Sequence, residues 1–293
     1  MSLTAPPVIF DSARRAARLA RSARRFGEAD FLHLRAADNA VASLEVILRD
    51  FDGVVDLSAQ PEPFAALLAD SIAAGRVGPV RVVGDLAGRA APGSGPLAIA
   101  DQSADLAVSL MSLHWANDLP GALSQIRRAL KPDGLFLGTL LGAGTLKELR
   151  GVLTEAEMES RDGAQARVSP FADGFDGAAL LQRAGFALPV TDVDRVTVRY
   201  PDLFALVRDL RAMGETNVLA GVTRPLTRTI AARAAQLYAE RYGEADGRIP
   251  ATFEIVHLAG WAPHESQQKP LKRGSATMRL ADALGVAEQT GEG

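Results

Sequence analysis

The sequence contains no cysteine among its 293 residues. This absence excludes disulfides, thiolate nucleophiles and zinc or iron–sulfur sites that depend on cysteine. Histidine is also scarce, and none of the four has the H-x-D/E or H-E-x-x-H spacing of a metal site; they are His33, His114, His257 and His264. The sequence therefore predicts no metal centre.

An excess of positive charge is missing as well. The chain has 32 Lys and Arg against 35 Asp and Glu, a net charge of −3. This balance argues against a general nucleic-acid-binding protein, which needs a basic face to neutralise phosphates. No apolar run approaches the roughly 18 to 20 residues that span a bilayer, and the first residues lack the basic-then-apolar order of a secretory signal. We expect a soluble, intracellular protein.

One basic segment stands out from this balanced background. Residues 11–25, DSARRAARLARSARR, predict a helix capped by Asp11 or Ser12. Arginines recur along one face of that helix, at positions Arg14, Arg18, Arg21 and Arg25. Three interpretations remain open: a solvated helix face, a contact for an acidic protein partner, or an arginine-rich organelle presequence.

Short apolar strands alternate with helical segments through the first half of the chain. The predicted strands are Val54–Leu57, Val80–Val83, Asp105–Leu110 and Leu135–Leu140. This alternation predicts an α/β fold with a parallel, doubly wound sheet. We expect an amino-terminal helical segment over 1–50, one domain over 51–285 with a helical lid at about 201–245 before the last strand, and a disordered tail over 286–293.

The turn after the first strand is the first candidate binding site, because ligands of such sheets bind beyond the carboxyl ends of the strands. It reads Asp56-Leu57-Ser58-Ala59-Gln60-Pro61-Glu62. An acid is present, but Ser58 and Gln60 stand where a nucleotide site usually has glycines. Asp85, after the second strand, is placed to accept the hydroxyls of a ribose, or it caps a helix or lies in a solvated loop. Only nineteen residues separate Asp85 from Asp105, so a strand or a helix of the fold is expected to be missing there.

Two further segments carry functional groups. Leu113, His114 and Trp115 follow the third strand, which places them on the ligand side of the sheet. His114 is the candidate general base, because imidazole titrates near neutral pH; packing beside Trp115 is the competing interpretation. The polar segment 261–277 is either a packed hook or a contact for a partner or active site.

A set of motifs across the chain resembles one known family. The segments are IFD, SLHWANDLPGALSQIRRALKPDG, RVSPFAD, MGETN, DGRIPATFEI and WAPHESQQKPLKRGSA. They resemble the methyltransferase-like assembly factor 5 of respiratory complex I and its bacterial relatives. More distantly, the chain is similar to the malonyl-carrier-protein methyltransferase of biotin synthesis.

The resemblance implies a Rossmann-like class I methyltransferase fold that binds S-adenosylmethionine (SAM). It assigns the cofactor to Asp56, Ser58, Gln60, Asp85, Leu113 and His114, although three glycines of the family's first turn are replaced here by Ser58, Gln60 and Glu62. It also implies a complex I subunit as partner, in the cytoplasm of a bacterium or, in a eukaryote, in the mitochondrial matrix or at the inner-membrane periphery. The sequence therefore predicts a SAM-dependent methyltransferase-family protein that acts on or assembles such a subunit. The alternatives are a non-catalytic assembly factor with a degenerate cofactor motif and, second, a protein-arginine hydroxylase.

Overall fold

The computed structural model describes residues 8–85, 99–171, 176–221 and 224–268. The chain divides after Pro263 into two units, and the first contains all the helices and strands given below. Of the second unit, the structure describes residues 264–268, where the His264 ring and the Ser266 hydroxyl are hydrogen bonded at 2.7 Å. The predictions for the tail 286–293, for most of the span between Asp85 and Asp105, and for the end of the 261–277 segment lie outside the described residues.

The described residues form eight α-helices and six strands. The helices are α1 (Ser12–Ser22), α2 (Phe31–Val46), α3 (Glu62–Ala69), α4 (Leu119–Ala129), α5 (Lys147–Ser160), α6 (Gly177–Arg183), α7 (Leu203–Met213) and α8 (Arg228–Tyr242). The strands are β1 (Val54–Asp56), β2 (Val80–Val82), β3 (Ala104–Ser109), β4 (Leu130–Leu141), β5 (Ala187–Tyr200) and β6 (Ile249–Trp261). The helices α7 and α8 occupy the range predicted as a lid, and their action as a lid stays a prediction.

The sheet has the strand order β2-β1-β3-β4-β6-β5. The first four strands are parallel, whereas β6 runs antiparallel to both β4 and β5. The prediction of a parallel, doubly wound sheet is therefore confirmed for the four strands from which it was made, and the structure adds an antiparallel β6. The physical reason is the connection between β5 and β6. After β5 the chain passes through α7 and α8 and re-enters the sheet at the same end where β5 finished, as Tyr200 pairs with Ile249.

Helices cover both faces of the sheet. On one face α2 and α3 pack on apolar residues of β3 and β4, including Leu106, Val108 and Leu137. On the other face α4 and α6 pack on Ala107, Phe136 and two residues of β6, Val256 and Leu258. The helices α5, α7 and α8 form a third apolar cluster around the amino-terminal half of β6. This layering buries most of β1, β3, β4 and β6, whereas β2 and β5 stay partly exposed at the edges of the sheet.

The carboxyl ends of β1 and β3 define the position of the candidate site. Leaving β1, the chain moves to β2 on one side of it, and then returns to β3 on the other side. The switch point of the sheet therefore lies between Asp56 and Ser109, where doubly wound sheets bind ligands.

Candidate functional site at the switch point

The first residues of the turn after β1 are buried, and several polar groups there are bonded within the chain. Asp56 is fully buried, and its Oδ1 accepts a hydrogen bond of 2.8 Å from the backbone N–H of Ser58. Burial raises the pKa of the Asp56 carboxyl. Its other oxygen, Oδ2, is buried without a hydrogen-bond partner. Gln60 is half-buried, and Glu62 is exposed in the first turn of α3.

Two serine hydroxyls connect this turn to the turn after β3. Ser58 Oγ accepts from the N–H of Leu110 at 2.8 Å, and Ser112 Oγ accepts from the N–H of Ala59 at 2.8 Å. Between them, Met111 adopts a positive φ of 51° while its N–H donates to Thr139 Oγ1 at 2.8 Å. The backbone N–H groups of Ser58, Ala59, Leu110 and Met111 are therefore satisfied by the chain itself.

The acid after β2 is bonded to the amino-terminal helix. Arg15 of α1 is 2% exposed, and its Nε lies 2.7 Å from Asp85 Oδ2. The same guanidinium stacks over the Trp115 ring, with its central carbon 5.2 Å from the ring centroid. Both terminal nitrogens of Arg15 are buried without a hydrogen-bond partner. Arg15 therefore fills the space between Asp85 and the 3-10 turn Leu113–Trp115.

His114 belongs to a buried acid–base cluster. Its Nε2 lies 2.9 Å from Glu215 Oε2, and the Nδ1 accepts from the N–H of Leu141 at 3.3 Å. Trp115 Nε1 donates to the same carboxylate at 3.0 Å. Leu113, beside them, is fully buried in the core of the sheet. The structure thus brings His114 and Trp115 together with the Glu215 of the MGETN motif, whereas Asp56 and Asp85 contact other groups.

The cluster shifts the titration of its buried members. Burial alone would raise the pKa of Glu215, but His114 and Arg15 outweigh it and hold the pKa of that carboxyl below its ordinary value. Burial lowers the pKa of His33, which packs nearby on α2, to about 4. The carboxylate is therefore charged and His33 neutral at neutral pH.

The amino-terminal segment is bonded to the residues that follow β3, next to His114 and Trp115. Asn117 Oδ1 accepts from the N–H groups of Ile9 and Phe10 at 2.7 and 2.8 Å, and its Nδ2 donates back to the Phe10 carbonyl. The Phe10 ring contacts Trp115 edge-on at 5.3 Å. Asp11 then caps α1 by accepting from the N–H of Arg14. Through these contacts the IFD and HWAND motifs position α1, and with it Arg15.

Two adjoining cavities open beside this cluster. The first, of 450 Å³, lies between α5 and α7 and has Trp115, Phe171 and Glu215 in its wall. The second, of 360 Å³, is a groove lined by arginines of α1 and α7, and it shares Arg18, Arg211 and Thr216 with the first. Neither is lined by the residues expected to surround an open pocket, which are Asp56, Asp85 and His114.

The sequence analysis did not single out Arg15 or Glu215, although both form close contacts in this site. Arg15 was one of several arginines in a predicted helix and lay outside the basic stripe, and it pairs with an acid 70 positions away. Glu215 lies 101 positions from His114. Its place in the MGETN motif was the one available hint, since that motif carried the resemblance.

The strand order and a match to one family model together define the class of fold. The described strand order, with a single antiparallel strand, and a match of residues 81–138 to the family model described as "Methyltransferase domain" identify a class I SAM-methyltransferase fold. The expected fold class is confirmed.

Particular relatives follow from the curated proteins and solved structures. The chain is 47% identical over 178 residues to "Arginine-hydroxylase NDUFAF5, mitochondrial" from Danio rerio, covering 61% of this chain and 56% of that protein. It is 38% identical over 167 residues to "Malonyl-[acyl-carrier protein] O-methyltransferase" from Methylovorus sp. (strain MP688), covering 57% and 54%. A SAM-dependent methyltransferase structure from Thermotoga maritima matches with a TM-score of 0.42 at 15% identity, over 86% of this chain and 100% of that one.

These relatives confirm the resemblance to the assembly-factor group and, more distantly, to the malonyl-carrier-protein methyltransferases. The chain spans about half the length of the curated relatives it matches. The NDUFAF5 relatives are named as mitochondrial proteins. Within the part of the chain that the structure describes, no helix is both long and apolar enough to cross a membrane.

The residues that the resemblance assigns to SAM do not fit the cofactor in this arrangement. The amide N–H groups of Ser58 and Ala59 already donate to Asp56 and Ser112. The acid that would accept ribose hydroxyls, Asp85, is paired with Arg15. Binding SAM there would require the buried guanidinium to leave its carboxylate and its aromatic partner, at a cost typical of breaking a buried ion pair.

Proposed function

We propose that this chain is a non-catalytic assembly factor with a methyltransferase fold, which binds a protein partner and does not use SAM. The observation that carries the proposal is Arg15, whose buried guanidinium lies between Asp85 and Trp115. The bonded turns after β1 and β3 support it, because they leave few backbone donors for the carboxylate of a cofactor.

The partner is taken from the resemblance. Relatives at this level of identity are named NDUFAF5, and the motif resemblance is to the assembly factor of respiratory complex I. We therefore propose a complex I-type subunit as the partner, met in the cytoplasm of a bacterium or on the matrix side of a mitochondrion. The motifs IFD, HWAND and MGETN meet in one largely buried cluster, which fixes α1 and its arginines in place.

Equilibrium dialysis against radiolabelled SAM and, separately, S-adenosylhomocysteine tests the proposal without depending on a heat of binding. We expect no retained label at millimolar ligand and no change in melting temperature. A dissociation constant in the micromolar range would overturn the proposal, since it would mean that Arg15 yields its place to the cofactor.

A SAM-dependent enzyme is the competing function. It is favoured by the match of residues 81–138 to the methyltransferase family model and by relatives named as O-methyltransferases. Its candidate base is His114, whose Nε2 is bonded to Glu215. The same dialysis separates the two functions, because only the enzyme retains SAM.

An arginine hydroxylase is the remaining candidate, favoured by the name of the NDUFAF5 relatives. The feature that suits a guanidinium is the cavity wall, which includes the Glu215 carboxylate and the rings of Trp115 and Phe171. Mass spectrometry of an arginine peptide incubated with the protein, dioxygen and a two-electron reductant tests this function. The gain of one oxygen atom by the peptide, with the other atom of dioxygen reduced to water, would favour it over the proposed one.

A further inference from the structure

The first cavity combines apolar walls with a basic mouth. Its walls are formed by Leu149 and Leu153 of α5 and by Leu203, Val207 and Leu210 of α7. The apolar surface continues to its rim, where Phe204 is 51% and Leu226 43% exposed. Exposed aromatic and aliphatic side chains around a pocket are the usual anchor sites of protein interfaces.

The adjoining groove supplies the charge. Arg18 and Arg211 line both the cavity and the groove, and Arg21 lines the groove. Arg18 Nε is buried without a hydrogen-bond partner. Burial and the neighbouring guanidinium groups of Arg21, Arg14 and Arg211 lower the pKa of Arg18. These arginines repel one another, and an anion in the groove would relieve that repulsion.

The carboxylates close to this surface are engaged elsewhere. Glu215, in the cavity wall, is bonded to His114 and Trp115. Glu28, near the far end of the groove, is paired with Arg25 at 2.7 Å. The arginines of the basic stripe predicted on α1 differ in their contacts: Arg14 and Arg21 donate to carbonyls of the chain, and Arg25 is paired with Glu28. Arg18, Arg21 and Arg25 all line the groove.

We infer that the cavity and the groove together dock an acidic segment of a protein partner, with a large apolar side chain in the cavity and carboxylates against Arg18, Arg21 and Arg211. The inference rests on the proposed function, and it adds the chemistry of the partner. An extended peptide is favoured over a compact anion because the basic groove and the exposed apolar rim are adjacent but separate surfaces, and a chain of residues reaches both.

The test uses the full chain and a pool of fluorescein-labelled peptides in which Asp and Glu alternate with Leu and Phe. Fluorescence anisotropy with the wild-type protein is expected to show members that bind, with affinity that falls as salt is raised. Two pools serve as controls, one with Lys in place of the acids and one with Gly in place of the apolar residues. Binding by neither control pool is expected. If no acidic member binds, or if the Lys pool binds equally well, the inference is wrong.

The double variant Arg18→Ala/Arg211→Ala is expected to weaken binding of the acidic peptides at least tenfold. The matched control is Arg183→Ala, an exposed arginine of α6 that lines neither surface. Circular dichroism establishes that both variants are folded. Unchanged affinity in the double variant would mean that the peptides bind elsewhere, and it would overturn the inference. Displacement of the peptide by dodecanoate that binds as tightly as the peptide would also overturn it, because the cavity would then be a site for a small amphiphile. None of these outcomes depends on SAM. The peptide experiments can therefore overturn this inference without affecting the proposed function, which the dialysis against SAM tests.

Discussion

Single hydroxyl groups explain how the first turn closes. The family resemblance places glycines in the turn after β1, where this chain has Ser58. Ser58 accepts a backbone N–H from the turn after β3, and Ser112 of that second turn accepts one from the first. A serine in place of a glycine adds a side chain that would crowd a cofactor. The structure adds a second effect, since the hydroxyls bond the two strand ends together. The first effect follows from side-chain size alone, but the second depends on a neighbour 52 positions away and was not readable from the sequence.

Replacement of Ser58 by Ala tests this structural role. The variant leaves the buried N–H of Leu110 without its acceptor, so we expect the free energy of unfolding to fall by about 1–3 kcal/mol. Urea denaturation measures the change. The control is Ser103→Ala, which removes an exposed hydroxyl and is expected to change stability little. Equal stability of the Ser58 variant and the wild type would show that the bridge does not hold the turns together.

The helices α1 and α2 are the elements that distinguish this site. The sequence predicted a helix at 11–25 and its cap at Asp11, because the capping residue and the periodicity are local signals. The packing of these helices on the methyltransferase-like domain could not be predicted from local signals in the sequence. It depends on Phe10 against Trp115, Arg15 on Asp85, and His33 of α2 beside Phe26.

Docking of α2 makes stability depend on pH through His33. In the unfolded chain this imidazole has its ordinary pKa of 6.5, but burial lowers the pKa to about 4 in the fold. As the pH falls from 6.5, the unfolded chain binds a proton that the folded chain does not, so stability is lost between those two values. The neighbouring charges are opposed: Glu215 favours the protonated ring, whereas His114 and Arg15 disfavour it.

We therefore expect roughly 1–2 kcal/mol less unfolding free energy at about pH 5 than at pH 7 from this residue. Denaturation of wild type and His33→Gln at both pH values measures it, and the variant should show a smaller difference. His264→Gln, at an exposed histidine, should keep the wild-type difference. An identical pH dependence in all three proteins would mean that His33 is not the responsible group.

For the whole molecule, the sequence predicted the fold class and nearly every strand, because alternating apolar strands and helices are strong local patterns. It missed the antiparallel direction of β6, since direction depends on how α7 and α8 return the chain. It also placed the candidate ligand residues correctly at the strand ends without foreseeing their partners. Asp85 is at the expected position, but its contact with Arg15 comes from a helix outside the sheet.

In the proposed function, Arg15 takes the place of a cofactor at Asp85. A crystal structure of the protein grown with millimolar SAM would show whether it does. We expect the Arg15 guanidinium within hydrogen-bond distance of Asp85, stacked on Trp115, with no nucleoside between them. A ribose bonded to Asp85, with the Arg15 side chain displaced, would overturn the proposed function in favour of a SAM-dependent enzyme.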